Sequence, residues 1–256
     1  MLTPGSDSVL SYALGMDRRQ FLAAGAAAAS LMTVADLAAN PLDSTPAFAW
    51  PRHCIASLPK SPIRRLAWTL DDGYSQTSLA AYVKLLEKHE DLTMTMFVLS
   101  HAPSWKNLAK PISALVATGR VQMANHTVSH RSLTSLNAKE IKHELQGCTR
   151  FIEDHFNVSP GTYYRPPYGN INDRVVRVAA DLGFTTPVLW YGSTGSGSTS
   201  SSAGVWRQCQ KWMTNGRIVI DHANSNATVH NFDRIRTLLA QRGLQTVTIK
   251  DAFGHN

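Results

Sequence analysis

The chain has little cysteine, only Cys54, Cys148 and Cys209 in 256 residues. So sparse and odd a set excludes a full disulfide framework, and it lacks the paired spacing of a cysteine zinc site. One disulfide stays open. Cys148 shares a helical face with Ile141, Leu145 and Ile152, and Cys209 one with Val205 and Trp212, so both read as buried thiols. No stretch is long and apolar enough for a stable membrane span. Lys and Arg exceed Asp and Glu by 25 to 18, yet no tight basic run with interleaved aromatics occurs. A generally solvated basic surface is therefore expected, with no nucleic-acid partner. Internal repeats and a second domain are absent as well.

The N-terminus reads as a targeting segment. Asp17-Arg18-Arg19-Gln20-Phe21-Leu22 precedes an uncharged, Ala-rich run over 21–35, and Ala47-Phe48-Ala49 offers a small-x-small cleavage site before Trp50. This order resembles a twin-arginine export signal, with Met16 as an alternative start. Residues 1–49 are set aside as that signal, and the mature protein is expected in the periplasm or outside the cell. Without them the charge balance becomes 23 basic to 14 acidic. Residues 50–64, with Pro51, Pro59 and Pro62, are expected to wrap the domain formed by 65–256.

Within 65–256, strand and helix patterns alternate. Strands are expected at 65–70, 92–99, 121–124, 161–164, 185–191, 217–220 and 244–249. Helices are expected at 75–90, 107–118, 137–156, 172–182, 205–214 and 232–242. Asn137 and Glu140 form a capping-box pattern, and Gly119 ends the second helix. The loop 192–204 is rich in Ser, Gly and Thr and reads as flexible. The alternation argues for a single-domain, parallel α/β fold, in which sites gather at the C-terminal ends of the strands.

Four strand ends carry unusual residues. The first strand runs into Asp71-Asp72-Gly73, two carboxylates at the tip of a buried strand. They repel each other beside a desolvated core, and a metal ion is the usual remedy. Helix capping would explain Asp-Asp-Gly alone. The chain also supplies His126-Thr127-Val128-Ser129-His130, whose spacing would put both imidazoles on one side of a helical turn. Thr127 stands where a His-Glu-x-x-His protease needs Glu. Asp72 with His126 and His130 makes a two-His, one-carboxylate set that leaves positions open for water and substrate. Arg165-Pro166-Pro167-Tyr168-Gly169 and Ile220-Asp221-His222 mark two further strand ends.

Together, Thr69-Leu70-Asp71-Asp72-Gly73, His126-Thr127-Val128-Ser129-His130, Arg165-Pro166-Pro167-Tyr168-Gly169 and Ile220-Asp221-His222 resemble the ordered motifs of the polysaccharide deacetylase family, the NodB-homology group or carbohydrate esterase family 4. The resemblance runs from about Arg65 to Ile249. It implies a distorted (β/α) barrel of about seven parallel strands. It implies that Asp72, His126 and His130 hold a divalent metal, most readily zinc, and that Asp71 is the general base. Arg165 would keep Asp71 ionised, the Tyr168 backbone N–H would help stabilise the oxyanion, and His222 would protonate the leaving amine. Trp190, Pro167 and Tyr74 would line the substrate site. The chemistry suits these roles: an amide is a poor electrophile, and its amine leaves poorly unless protonated.

The chain departs from the family pattern in two places. Family members commonly carry Asp-x-x-Asp-Trp before the last site, and one Asp tunes the acidic His. Here the segment is Leu189-Trp190-Tyr191-Gly192-Ser193, with no acidic residue between Gly183 and Ile220. Asp221 is adjacent to His222, but strand neighbours point to opposite faces. Leu70 and Ile220 replace the more usual Phe and Leu. The expected function is metal-dependent removal of N-acetyl groups from N-acetylglucosamine-type units of a cell-wall or extracellular polysaccharide: peptidoglycan, chitin-type or poly-N-acetylglucosamine. The alternatives are an O-acetyl esterase on a polymer such as xylan, or a non-catalytic glycan-binding protein.

Overall fold

A computed structural model describes residues 54–197 and 201–254. The expected export signal and the start of the wrapping segment lie outside these residues. Among the described residues no helix is long and apolar enough to cross a membrane, and all three cysteines are free thiols.

The elements are β1 (Arg65–Asp72), α1 (Gln76–Lys88), β2 (Met94–Val98), α2 (Pro103–Asn107), α3 (Ala109–Ala117), β3 (Val121–Asn125), α4 (Ala138–Phe156), β4 (Tyr163–Tyr164), α5 (Asp173–Ala180), β5 (Thr186–Pro187), β6 (Gly192–Ser193), α6 (Ser202–Trp212), β7 (Arg217–His222), α7 (Phe232–Gln241), β8 (Gln245–Thr246) and α8 (Ile249–Phe253). All strand pairs are parallel, in the order β5-β4-β3-β2-β1-β7-β6, with the short β8 on β1. The seven strands of this order, with β8 as an eighth beside β1, curl into a distorted half-barrel with helices around it.

Alternation along the strands separates two layers. Trp68 and Leu70 of β1 and Met94, Met96 and Val98 of β2 pack outward with Leu79, Tyr82 and Leu86 of α1. The intervening Ala67 and Phe97 turn the other way, joining Ala124, Tyr163, Val188 and Ile218 in a second cluster capped by Ile249 and Ala252 of α8. That cluster takes no residue from α1–α7, so it is the interior of the curl. Burial of each large apolar side chain stabilises this arrangement by roughly 1.5–3 kcal/mol.

The curl is nearly closed. β5 and β6 stand at opposite ends of the strand order, yet residues 188–191 alone connect them. The backbone N–H groups there scatter to different partners: Val188 to Tyr164 O, Leu189 to Ile55 O and Tyr191 to Ile218 O. The wrapping segment fills the same seam. Ile55 bridges Val188, and Ser57 bridges Arg217 of β7.

Several local expectations are corrected. Of the strand expected at 185–191 only Thr186 and Pro187 pair, as β5, and β6 forms beyond the crossing at Gly192–Ser193, where a loop was expected. The helix at 107–118 is two helices meeting at Leu108. Pro111 explains the break, because its ring cannot sit against a helical carbonyl at position 107. The last strand, 244–249, pairs only at Gln245 and Thr246. Thr248 then caps α8, its side chain accepting from the Asp251 N–H at 3.0 Å. Helices α1 and α4 begin as their caps dictate. Ser75 accepts from the Ser78 N–H, and Asn137 and Glu140 complete a capping box.

Candidate active site

β1 extends through both aspartates, so their positions follow from strand register. Asp71 lies opposite His222 of β7 and Asp72 opposite Val98 of β2. Partners in a parallel ladder share a face, so Asp71 and His222 emerge side by side at the mouth of the curl. Gly73 then turns the chain at φ +92°, under Trp105, whose indole N–H donates to the Asp72 carbonyl. A Cβ on Gly73 would stand 2.5 Å from Trp105 Nε1, so only glycine fits there.

Asp71 is 1% exposed and paired with Arg165, which is wholly buried. The guanidinium spans the interior of the curl. It donates to Asp71 Oδ1, to Thr69 Oγ1 at 2.9 Å and to the Val188 carbonyl at 3.1 Å, and it lies 3.9 Å over the Phe97 ring. A buried guanidinium with its donors so engaged fixes the direction of the neighbouring carboxylate.

Asp72, His126 and His130 form the sole metal-competent cluster of His, Cys, Asp and Glu among the described residues, with ligand atoms within 4.8 Å of one another. Asp72 Oδ1 lies 3.4 Å from His126 Nε2 and 3.5 Å from His130 Nε2. Ligands of a tetrahedral zinc with bonds of 2.0–2.1 Å stand about 3.3 Å apart. Asp72 Oδ1 is also buried without a hydrogen-bond partner, the condition a metal would relieve. The set therefore fits a divalent cation that accepts nitrogen and oxygen ligands.

Neighbouring groups aim this set. His126 Nδ1 lies 2.7 Å from the Arg165 carbonyl, which takes its proton and leaves Nε2 free to ligate. Asn224 Nδ2 donates to Asp72 Oδ2 at 2.6 Å. Burial raises the Asp72 carboxyl, but His126, His222 and His130 outweigh it and hold the group well below the usual carboxylate range. Burial pulls the His130 imidazole down to about 4, with His126 adding to the effect. His130 therefore stays neutral near pH 7, as a metal ligand must be. For His126 burial acts in the same direction, but Asp71 and Asp72 outweigh it and raise the group.

The two histidines are not on a helix, contrary to the reading of their spacing. Residues 126–130 form a loop in which Thr127 and His130 adopt positive φ, +73° and +60°. Glu144 of α4 pins this loop. Its Oε2 accepts the Val128 N–H at 2.9 Å and the Ser129 N–H at 2.8 Å, and Oε1 accepts the Ser129 hydroxyl. Asn125 adds a bond from the Thr127 N–H at 2.9 Å. Among the described residues, the non-glycine residues with positive φ are Asp72, Thr127, His130, Asn157 and Tyr168. All but Asn157 belong to this site, where the surrounding contacts hold the strain.

The turn after Arg165 is tied by Gly169 N–H to Pro166 O and Asn170 N–H to Pro167 O, with Tyr168 at its apex at φ +60°. The Tyr168 ring sits edge-on to His130, centroids 4.6 Å apart. Tyr74 and Tyr168 are about half exposed. Burial raises the Tyr74 phenol first, and the charges of Asp72 and Tyr168 raise it further. Pro167 is buried in the turn, and Trp190 packs behind it, within 3.2 Å of where a Cβ on Gly169 would be. Asp71, Asp72, His126, His130, Arg165, Tyr168 and His222 thus gather at one mouth of the curl, whereas Asp221 faces the outer layer. Sequence reasoning missed Asn224, Glu144, Trp105 and Ser196. Glu144 alone left a signal, a glutamate on the same face as Ile141, Leu145 and Cys148.

The family model described as "Polysaccharide deacetylase" matches residues 59–187, just over half of the chain. Chitin deacetylase 3 of Cryptococcus neoformans is 27% identical over 75% of this chain and 49% of its own length. The peptidoglycan-N-acetylmuramic acid deacetylase PdaC of Bacillus subtilis is 25% identical over 78% of this chain and 42% of its own. The chain thus spans about half, or less, of the length of these relatives. Among solved structures, BA3943 from Bacillus anthracis, described as a family 4 carbohydrate esterase pseudoenzyme, superimposes with a TM-score of 0.67 at 22% identity. The match covers 78% of this chain and 68% of that one. By its matching family model and its fold, the chain belongs to the polysaccharide deacetylase family.

Proposed function

We propose that this protein is an exported, metal-dependent hydrolase that removes N-acetyl groups from N-acetylglucosamine-type units of a cell-wall or extracellular glycan. One observation carries the reading: a buried, Arg165-paired Asp71 stands beside the Asp72–His126–His130 cluster, with His222 in register next to it. Glycan binding alone would need no such base, which separates this chain's reading from that of a pseudoenzyme. The relatives named as chitin and peptidoglycan deacetylases support an acetylated amino sugar as substrate. Arg18-Arg19 and the Ala-rich run after them support export.

In this reading Asp72, His126 and His130 hold the metal. When bound, it would polarise the acetyl carbonyl and acidify water. Asp71 takes a proton from the attacking water as its oxygen adds to the carbonyl carbon, and Arg165 keeps the carboxylate ionised for that task. The Tyr168 N–H donates to the developing oxyanion. The C–N bond then breaks, its electron pair goes to nitrogen, and His222 supplies the proton, giving acetate and a free amine. Tyr74, Tyr168 and Trp190 offer ring faces to the sugar, and Pro167 stiffens the turn beneath.

The test is acetate release by the purified protein from chitin oligomers, poly-N-acetylglucosamine, peptidoglycan and acetyl-xylan, before and after chelation and with zinc restored. Release from the amino-sugar polymers that chelator abolishes and zinc restores is expected. Release from acetyl-xylan alone would make the protein an O-acetyl esterase. No release from a folded, zinc-loaded protein would leave a binding role.

A further inference from the structure

The 192–204 loop is not uniformly flexible: Thr194 is fully buried and Ser196 is 4% exposed. Both face Asp221, which is itself fully buried on the outer side of β7. Asp221 Oδ1 accepts hydroxyl protons from Ser196 at 2.6 Å, Thr194 at 2.7 Å and Thr228 at 2.9 Å. Oδ2 accepts from Tyr82 at 2.6 Å and from the Trp68 indole at 2.9 Å. Five side-chain donors, none of them a cation, converge on the two oxygens of this buried carboxylate. Burial and the Asp221 charge push the Tyr82 phenol well above its ordinary value, so it remains a donor. Nothing in the proposed reaction uses this carboxylate directly. As strand alternation requires, it points away from His222.

Ser196 spans the two faces. Its Oγ lies 3.3 Å from His222 Nδ1 and accepts the His222 backbone N–H at 2.9 Å. A serine hydroxyl has one proton and two lone pairs. Thr194 Oγ1 lies 2.9 Å from Ser196 Oγ, but its proton goes to Asp221, as does that of Ser196. One Ser196 lone pair serves the backbone N–H, which leaves the second to accept Nδ1–H. Gly197 lies against the ring: a Cβ there would be 2.7 Å from His222 Cε1 and 2.9 Å from Nδ1.

We infer that Ser196, backed by the Asp221 carboxylate and with Gly197 closing on the ring, is the positioning residue that holds His222 as the Nδ1–H form and leaves Nε2 to exchange the proton with the leaving group. This rests on the proposed deacetylation. It names the partner that the chain lacks where relatives carry an acidic residue before the last site. Because Ser196 accepts Nδ1–H in both charge states of the ring, the proton always leaves from, and returns to, Nε2. The neutral hydroxyl passes on the field of Asp221 without setting a second charge beside the metal-binding set.

Leaving-group dependence tests the step. An amide needs its nitrogen protonated to leave, whereas 4-nitrophenyl acetate releases an anion that needs no proton. Ser196→Ala is expected to lower kcat on the N-acetylated glycan by about tenfold or more, up to the 10²–10⁴ that a positioned acid supplies. Hydrolysis of 4-nitrophenyl acetate and zinc binding should be unchanged. Gly197→Ala, which keeps the hydroxyl but displaces the ring, should show the same selective loss. Equal losses on both substrates, or none on the amide, would overturn the inference. A separate readout needs neither variant nor turnover. The ¹⁵N spectrum of the wild-type protein should report neutral His222 protonated at Nδ1, and the Nε2–H form would overturn the assignment. That spectrum holds even if no glycan is deacetylated, so failure of the proposed function and failure of this inference are distinguishable.

Discussion

Glu144 is remote from the reaction, yet the loop carrying both histidines hangs on it. Its carboxylate accepts two backbone N–H groups and the Ser129 hydroxyl, and Glu144 itself is 4% exposed. Hydrogen bonds to a charged acceptor contribute about 1.5–3 kcal/mol each when buried. Val128 is half-buried and Ser129 exposed, so water replaces part of what Glu144→Ala removes. The expected loss is therefore roughly 2–4 kcal/mol rather than the full sum. Glu144→Gln keeps one acceptor for the two N–H groups, loses the charge and puts an amide NH2 where Oε1 accepted the Ser129 hydroxyl, which must then act as acceptor, so about 1 kcal/mol is expected. At about 2–4 °C per kcal/mol for a chain of this size, the alanine variant should melt roughly 5–15 °C below wild type. The loop also aims His126 and His130, so zinc affinity should fall about 10–100-fold in the alanine variant, as for other groups that orient metal ligands. Thermal unfolding of the metal-free protein and calorimetric zinc titration measure the two effects. Unchanged zinc affinity in a destabilised Glu144→Ala protein would refute the claim that this carboxylate orients the ligands. Equal melting of the Gln and Ala variants would refute the accounting of its hydrogen bonds.

The remaining predictions are more direct. Asp71→Asn should abolish acetate release while zinc still binds, because Asp72, His126 and His130 are untouched; full activity would remove Asp71 from the role of base. Gly73→Ala should cost about 1–3 kcal/mol for its φ of +92°, and more because its Cβ meets Trp105. A soluble variant with wild-type melting and zinc binding would contradict that account. Burial pushes the Cys148 thiol up to about 12 and the Cys54 thiol up to about 11. Alkylation of Cys148 at pH 8 should therefore proceed only after unfolding, which mass spectrometry of native and denatured protein would detect.

The metal-binding and base residues were legible because each is a polar residue type set where an apolar run ends. Asp71-Asp72 after residues 65–70, and Asp221-His222 after 217–220, break a buried pattern in a way that a core alone does not explain. Helices with strong caps, at Ser75 and Asn137, were legible too, since the capping bond joins residues three apart. Short strands were harder to read. β5, β6 and β8 pair at two residues each, too few for a period of two to emerge, and their extent depends on where neighbouring strands run. The His126–His130 spacing misled for a related reason. Two positive φ values, held by Glu144 from the following helix and by the adjoining Asn125, substitute for a helical turn.

The sequence by itself determined the alternation that makes a parallel α/β fold, the family, and which side chains carry the chemistry, because these depend on residue type and on spacing within one element. Only the tertiary structure decided how those side chains are supported. Arg165 reaches Asp71 across 94 positions and Ser196 reaches His222 across 26. A carboxylate on one face of β7 acts on a histidine on the other only because a neutral loop folds over the strand end. Such contacts are fixed by strand register and by closure of the curl, which no local pattern encodes.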